Sequence, residues 1–228
     1  MPARTRWSGA LGSMGLAVAL TACAMAPSQE SAAPEVWSLG DVSKVAGSVT
    51  EVVGAPRRLT SGTDTAIVFD GKGDGLFVPV NPLAGWTAFT IEVRFMPDGS
   101  GGEEQRFLHL EDPLKHRVLI ETRVTPDKQW SLDTFLFQDA EHKLTLLDRT
   151  RLHPTDRWYW VALVYDGSRM SHYVNGELEL EGSVAFAPMT AGRTSIGVRQ
   201  NRVSWFKGAI SEVRFTPAAL PATKLRQN

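Results

Sequence analysis

Several side chains between residues 106 and 160 have the types and spacing of a ligand-binding surface. Three segments in this region alternate between apolar and polar residues, as strands with one buried face do. If Leu108, Ile120 and Leu132 face the core, the opposite surface is polar. That surface then carries His109, Glu111, Glu121, Arg123, Asp133 and Phe135. Trp160 is expected to face outward from a further strand, because Val161 and Leu163 have the character of core residues.

Aromatic rings combined with planar polar groups are typical of carbohydrate sites. The ring stacks on the apolar face of a sugar, and carboxylate or guanidinium groups bond its hydroxyls. We therefore predict a ligand-binding surface, provided that the strands share one sheet. Its members are Trp160, Phe135, Asp133, Glu121, Arg123 and His109. Alternatively, Glu121 and Arg123 are a cross-strand ion pair on a solvated face, as are Glu92 and Arg94, and a loop or the N-terminal strand covers Trp160.

The sequence offers little for metal ligation. Its five histidines show neither His-x-His nor His-x-x-x-His spacing. Calcium remains a candidate because predicted turns carry aspartates, namely Asp64, Asp70, Asp74 and Asp166. Aspartates at turns more commonly accept hydrogen bonds from nearby backbone N–H groups. We therefore expect no cofactor, with calcium as the open alternative.

The elements that must position these residues are strands. Residues 158–165 form an unbroken apolar run rich in aromatic and β-branched residues, Asp166-Gly167 marks a turn, and Asn175-Gly176 is a common hairpin dipeptide. This pattern predicts three consecutive antiparallel strands. Strict alternation from Phe89 to Phe95 predicts a further half-buried strand.

Two more features complete the prediction of fold class. Residues 66–71 and 75–80 are expected to be a strand and its return. Many short strands, spaced roughly 8–12 residues apart, with at most one helical turn near residues 218–225, predict an all-β protein. The expected architecture is a two-sheet antiparallel β-sandwich.

Six motifs in order resemble laminin-G-like domains, which are concanavalin A-like jelly rolls. These motifs are Phe69-Asp70-Gly71, Phe89-Thr90-Ile91-Glu92-Val93, the block 158–167, Tyr173-Val174-Asn175-Gly176, Ser195-Ile196-Gly197 and the segment 206–213. The resemblance covers about residues 36–221 and implies binding of sugars, proteins or calcium on a concave face or rim loops. Ser211 and Trp160 depart from the usual pattern, which has Asp and a polar residue or His at these positions.

Enzymes of related architecture have motifs that this chain lacks. The Glu-x-Asp-x-x-Glu of laminarinase-type glycosidases is absent, since no glutamate begins even Glu-x-Asp. Neither the Gln-x-His of jelly-roll alginate lyases nor the Gly-x-Ser-x-Gly of serine hydrolases occurs. We therefore predict that the protein is not an enzyme.

The N-terminus indicates export. Arg4 and Arg6 precede a short apolar stretch, and Leu20-Thr21-Ala22-Cys23 resembles the bacterial lipobox, in which the cysteine receives lipid. We expect a signal peptide at residues 1–22, lipidation of Cys23, a tether at residues 23–34 and a folded domain at residues 35–228. Because Ala24 follows the cysteine, the resemblance favours the bacterial outer membrane. An ordinary signal peptide with an incidental cysteine is the alternative.

Charge and composition narrow the function further. The 228-residue chain has a formal net charge of −1 and no basic block, which argues against nucleic acid as a partner. We predict a non-catalytic extracytoplasmic binding module for carbohydrate or glycoconjugate, anchored to the membrane by lipid. One alternative is a protein-interaction or envelope-structural lipoprotein whose partner is an envelope protein. A polysaccharide hydrolase or lyase of unrecognised type is another.

Overall fold

The chain folds almost entirely into β-strands. The computed structural model describes residues 1, 3, 33–61 and 64–228. These residues form strands β1 (Glu35–Ser38), β2 (Lys44–Val45), β3 (Ser48–Val49), β4 (Glu51–Val53), β5 (Arg57–Ser61), β6 (Asp64–Asp70), β7 (Gly75–Val78), β8 (Phe89–Pro97), β9 (Glu104–Glu111), β10 (Arg117–Val124), β11 (Gln129–Phe137), β12 (Lys143–Leu147), β13 (His153–Pro154), β14 (Tyr159–Tyr165), β15 (Arg169–Val174), β16 (Glu177–Ser183), β17 (Arg193–Ile196) and β18 (Lys207–Thr216). A 3-10 turn, Ala222–Lys224, lies within the region where one helical turn is expected.

All of these elements belong to the unit Ser31–Asn228. The predicted signal peptide (apart from residues 1 and 3), Cys23 and most of the predicted tether lie outside the described residues. Within the part of the chain that the structure describes, no helix is long and apolar enough to cross a membrane.

Two antiparallel sheets of eight strands each form the predicted sandwich. The first sheet has the order β16-β15-β14-β8-β18-β6-β5, with β1 beside β18. The second has the order β12-β11-β10-β9-β17-β7-β4, with β13 beside β11. Each sheet is apolar on one face because its strands alternate, and the two apolar faces bury each other. At the centre, Phe95 of the first sheet stacks on Phe107 of the second, with ring centroids 4.5 Å apart.

The three strands predicted from the apolar run and its turns are confirmed. β14, β15 and β16 pair consecutively and antiparallel. Asn175 and Gly176 both have positive φ, at 49° and 80°, as the tight hairpin turn requires. The alternation in β8 is also confirmed, with Phe89, Ile91 and Phe95 in the core.

Two local expectations are wrong. β7 is not the hairpin return of β6, since β6 lies in the first sheet and β7 in the second. The turn at Asp70 passes the chain between the sheets, which local alternation does not reveal. Phe107 also departs from alternation and lies in the core beside Leu108. The cause is a β-bulge opposite Ile120 and Glu121, which leaves one extra residue on β9 and reverses the parity beyond it.

Candidate functional site

The outer face of the second sheet, meaning the face turned away from the first sheet, carries most candidate residues in rows. Side chains of equal parity line up because β9–β12 are antiparallel neighbours. The rows are Glu104, Arg123 and Ser131; Arg106, Glu121, Asp133 and Leu147; His109, Leu119, Phe135 and Thr145; and Glu111, Arg117, Phe137 and Lys143. The structure therefore brings five of the six predicted residues to one face.

Ion pairs connect the charged residues of the first two rows. Arg106 Nε lies 2.9 Å from Glu121 Oε1, and Arg123 Nη2 lies 3.4 Å from Glu121 Oε2. Arg123 also pairs with Asp133, and Glu104 pairs with both arginines. The Glu121–Arg123 ion pair, which was the alternative expectation, is thus present as part of a larger network. Two arginines hold three carboxylates in fixed positions.

Two of these carboxylates are almost completely removed from water. Glu121 is 3% exposed and Asp133 1% exposed. Burial raises the pKa of Glu121 to about 7, even though Arg106 and Arg123 favour its ionised form. Burial likewise raises the pKa of Asp133, and its Oδ1 has no hydrogen-bond partner among the described residues. Asp133 can therefore accept a further hydrogen bond, and Glu121 can change charge near neutral pH.

Two half-buried phenylalanines add an aromatic surface. The rings of Phe135 and Phe137 lie 6.0 Å apart, and the guanidinium of Arg117 lies 4.1 Å above the Phe137 ring. An open cleft of about 330 Å³ is lined by these rings, by Glu121 and Asp133, and by five cations, two of which are Arg106 and Arg123 of the ion-pair network. The cations that lie outside the ion-pair network are Arg117, Lys143 and Arg199. Such a cleft offers a ring a stacking surface and its hydroxyls both donors and acceptors.

His109 belongs to this face, but its ring is buried beneath the surface. It is 1% exposed, and its Nδ1 accepts the backbone N–H of Gln200 at 3.1 Å. Burial, together with the positive charges of Arg199 and Arg117, lowers the pKa of His109 to about 3. The ring is therefore neutral at physiological pH, and it fixes the loop after β17 that carries Arg199.

The predicted site required all of its strands to share one sheet. Trp160 does not meet this condition, because its strand belongs to the first sheet. β14 pairs with β8 and β15 in the first sheet, whereas Phe135 lies on β11 in the second. Beside Trp160, the first sheet's outer face carries Ala162 and Val164, which pack under Leu225 of the C-terminal segment. The six residues therefore do not form one surface.

The calcium candidates form backbone turns. Asp70 Oδ1 accepts the N–H groups of Lys72, Gly73 and Asp74, and Asp166 Oδ1 those of Ser168 and Arg169. The carboxylate of Asp74 accepts the N–H groups of Ala55 and Asp70, while the Asp64 side chain lies outside the described part. Among the described residues, no group of three or more His, Cys, Asp or Glu side chains is arranged to hold a metal ion.

Five charged or aromatic residues of the cleft were missed by the sequence reasoning, and Arg106 is one of them because the bulge in β9 reverses its parity. Arg117 and Phe137 have the same parity as Glu121 and Phe135, so extending the alternation by one row would have found them. Lys143 follows from the pairing of β12 with β11, which local sequence does not specify. Arg199 lies in a loop where no periodic signal exists.

The comparison with protein families settles membership. A sequence profile described as the concanavalin A-like lectin/glucanases superfamily, of laminin-G type, matches residues 70–226. The chain belongs to this superfamily. The two-sheet sandwich described above agrees with that membership. A search of curated proteins finds no match.

Solved structures show the same concanavalin A-like fold at low identity. Domain 4 of AbnA, an extracellular arabinanase from Geobacillus stearothermophilus in complex with arabinotriose, has a TM-score of 0.63 at 17% identity, covering 83% of this chain and 94% of that one. The binding domain of botulinum neurotoxin DC, in complex with SialylT, has a TM-score of 0.60 at 13% identity, over 83% of this chain and 49% of that one. A heptameric SAP-like pentraxin from Limulus polyphemus has a TM-score of 0.54 at 18% identity, over 72% and 81%. This chain thus spans about half of the toxin binding domain.

Proposed function

We propose that this protein is a non-catalytic extracytoplasmic module that binds carbohydrate or glycoconjugate in the cleft of the second sheet. The observation that carries the proposal is the combination of half-buried rings and fixed planar polar groups in one open cleft. Phe135 supplies the stacking surface, because the ring of its neighbour Phe137 is partly covered by Arg117. The polar groups around it are already oriented by ion pairs, so binding a sugar costs little side-chain entropy.

The superfamily and its structural neighbours support this proposal. The arabinanase domain is described in complex with arabinotriose and the toxin domain in complex with SialylT. Both have the sandwich fold of this chain. For this chain, the cleft is the place where such a ligand fits.

We further propose that lipid on Cys23 anchors the protein in the bacterial outer membrane. The support is the sequence Leu20-Thr21-Ala22-Cys23 after a short apolar stretch. Metabolic labelling of cells with a radioactive fatty acid tests this directly. Label should enter the wild-type protein and not the Cys23→Ser variant, and equal labelling of both would refute the assignment.

A hydrolase is the second candidate, and one observation favours it. Glu121 and Asp133 are adjacent carboxylates with raised pKa values, as a general acid and its partner often are. Both, however, pair with Arg123 and are almost fully buried, which suits binding better than catalysis. Release of reducing ends from any glycan that the protein binds, lost in Glu121→Gln, would establish the hydrolase instead.

A glycan array tests the binding function. The full chain in detergent is applied with calcium and with chelator, alongside Phe135→Ala, Phe135→Leu and Trp160→Ala. We expect the array hits to lose about tenfold in affinity in both Phe135 variants, since stacking on an aromatic ring contributes about 1–1.5 kcal/mol. Trp160→Ala is the matched control on the other sheet and should bind normally.

The array outcomes are distinct. Hits that depend on Trp160 and not on Phe135 would move the site to the first sheet. Binding that requires calcium and ignores Phe135 would move it to the turns at Asp70 and Asp166. No hits under either condition would favour the protein-interaction alternative.

A further inference from the structure

Three cations in the cleft lack a carboxylate partner. Within residues 33–61 and 64–228, no ion pair joins Arg117, Arg199 or Lys143 to an acidic side chain. The acidic groups nearby are already engaged. Glu121 and Asp133 pair with Arg106 and Arg123, and Glu111 pairs with Lys115 at 3.0 Å. Glu111 also acts on Arg117, but this single carboxylate is shared with Lys115, so this end of the cleft carries net positive charge.

The pKa values of two groups at this end of the cleft, Arg117 and His109, also reflect that positive charge. Besides burial, the positive charge of Arg199 lowers the pKa of Arg117, so the two guanidiniums lie close enough to repel. Burial is the main cause of the lowered pKa of His109 beneath them, and the positive charges of Arg199 and Arg117 lower it further. Like charges held together without a counter-ion are unfavourable, and an anion between them relieves the repulsion.

Arg117 and the loop that carries Arg199 are also held in place before any ligand arrives. Arg117 lies over the Phe137 ring, and its Nε is buried without a hydrogen-bond partner. The loop that carries Arg199 is held by two hydrogen bonds, since the N–H of Arg199 donates to the carbonyl of Val203 and the N–H of Gln200 donates to Nδ1 of His109. Lys143 stands directly across from Phe137 on β12 and is exposed. An oriented guanidinium pair matches the planar oxygens of a carboxylate or the oxygens of a sulfate.

We propose that the cleft selects acidic sugars, whose carboxylate or sulfate group binds at Arg117, Arg199 and Lys143 while the ring stacks on Phe135. This inference rests on the proposed function and narrows its ligand class. A neutral sugar would leave the cations unpaired and gain only stacking and hydroxyl contacts.

The test compares matched ligands on the full chain by isothermal titration calorimetry. The probes are tetragalacturonate, its methyl ester, a κ-carrageenan tetrasaccharide and its desulfated form. Within each pair the members differ only at the acidic group, and the two pairs separate carboxylate from sulfate. We expect one charged member to bind at least tenfold more tightly than its neutral form, and raising NaCl from roughly 50 to 500 mM to weaken it.

Variants assign the effect to the cleft. Arg199→Gln and Lys143→Gln should each weaken binding of the charged ligand about five- to tenfold and leave that of its neutral form unchanged. Arg58→Gln, on β5 of the first sheet, removes the same charge from an exposed position and should have no effect. Melting temperatures close to that of the wild type confirm that the variants are folded.

Failure of this inference and failure of the proposed function differ in outcome. Equal affinity for charged and neutral members, still lost in Phe135→Ala, would overturn acidic selectivity and keep carbohydrate binding. Charge-dependent binding that is equally weakened by Arg58→Gln would also overturn it, as a non-specific effect. The inference would also be overturned if none of the four probes bound and the array showed either neutral glycans alone or no hits. An array without any hits would remove the proposed function as well.

Discussion

Arg123 is the residue on which the buried charges of the cleft depend. It pairs with Glu121, Asp133 and Glu104, and the first two of these have lost nearly all contact with water. Removing one partner of a buried ion pair leaves an uncompensated charge, which costs more than the pair contributes. The sequence predicted that Glu121, Arg123 and Asp133 share a face, but not that two arginines and three carboxylates form one network.

Arg123→Met is therefore expected to lower the free energy of unfolding by about 3 kcal/mol at about pH 8. The loss should be smaller at about pH 5, because Glu121, with a pKa of about 7, is then neutral in the folded protein. Urea denaturation at the two pH values measures both effects. Arg149→Met is the control, since the Arg149–Glu103 pair is mostly exposed and should contribute at most about 0.5 kcal/mol. An equally large loss at both pH values would contradict the titration of Glu121.

At the scale of elements, the sequence predicts the strands well and their partners poorly. Strand existence follows from local alternation and from turn dipeptides such as Asn175-Gly176, which act within a few residues. Sheet membership depends on distant pairings. β7 pairs with β17, more than a hundred residues later, and β6 pairs with β18. For the same reason the sheet that contains Trp160 could not be assigned from its own neighbourhood.

The end of β17 shows how closely these distant elements approach. Gly197 has a φ of +81°, and a Cβ there would lie 2.3 Å from Cδ1 of Phe69, the last core residue of β6. Gly197→Ala should destabilise the protein by about 2–3 kcal/mol more than Gly47→Ala. Gly47 is the matched control, with a φ of +73° and nothing within 4 Å of its Cβ position. Equal losses in urea denaturation would mean that backbone strain alone matters at Gly197.

At the scale of the whole molecule, the two outer faces differ. The C-terminal segment lies on the first sheet, where the N–H of Arg226 donates to Glu92 at 2.6 Å and the N–H of Leu220 donates to Thr90 at 2.9 Å. It covers the polar side of β8, which alternation alone predicts to be solvated. Of the two faces, the second sheet's carries the open aromatic and charged cleft. Sequence parity identified much of that cleft, but no local pattern could show which face the chain's own C-terminus covers.

The two fully buried histidines predict how the whole molecule responds to acid. Burial lowers the pKa of His109 and of His172 to about 3, from the ordinary histidine value of 6.5. The unfolded chain therefore binds protons below about pH 6.5 that the folded chain does not, and the free energy of unfolding falls as pH falls from that value toward 3. Glu121, with its raised pKa, acts in the opposite direction between about pH 4.5 and 7.

Comparison of variants isolates one histidine. Between about pH 4 and 6, His172→Gln should reduce the pH slope of the free energy of unfolding by about 1.4 kcal/mol per unit. His142→Gln is the control. Asp139 raises the pKa of His142, so both its folded and unfolded forms are protonated in this range and the slope should not change. An unchanged slope in His172→Gln would show that this ring is charged in the folded protein.

The central claim is that the second sheet's cleft is the binding surface. Its most direct test is an amide chemical-shift map of the isotope-labelled full chain during titration with tetragalacturonate and the κ-carrageenan tetrasaccharide. The account predicts that the larger shifts cluster at Arg117, Leu119, Phe135, Thr145 and Arg199. Shifts centred on Trp160 and Leu225 would contradict it.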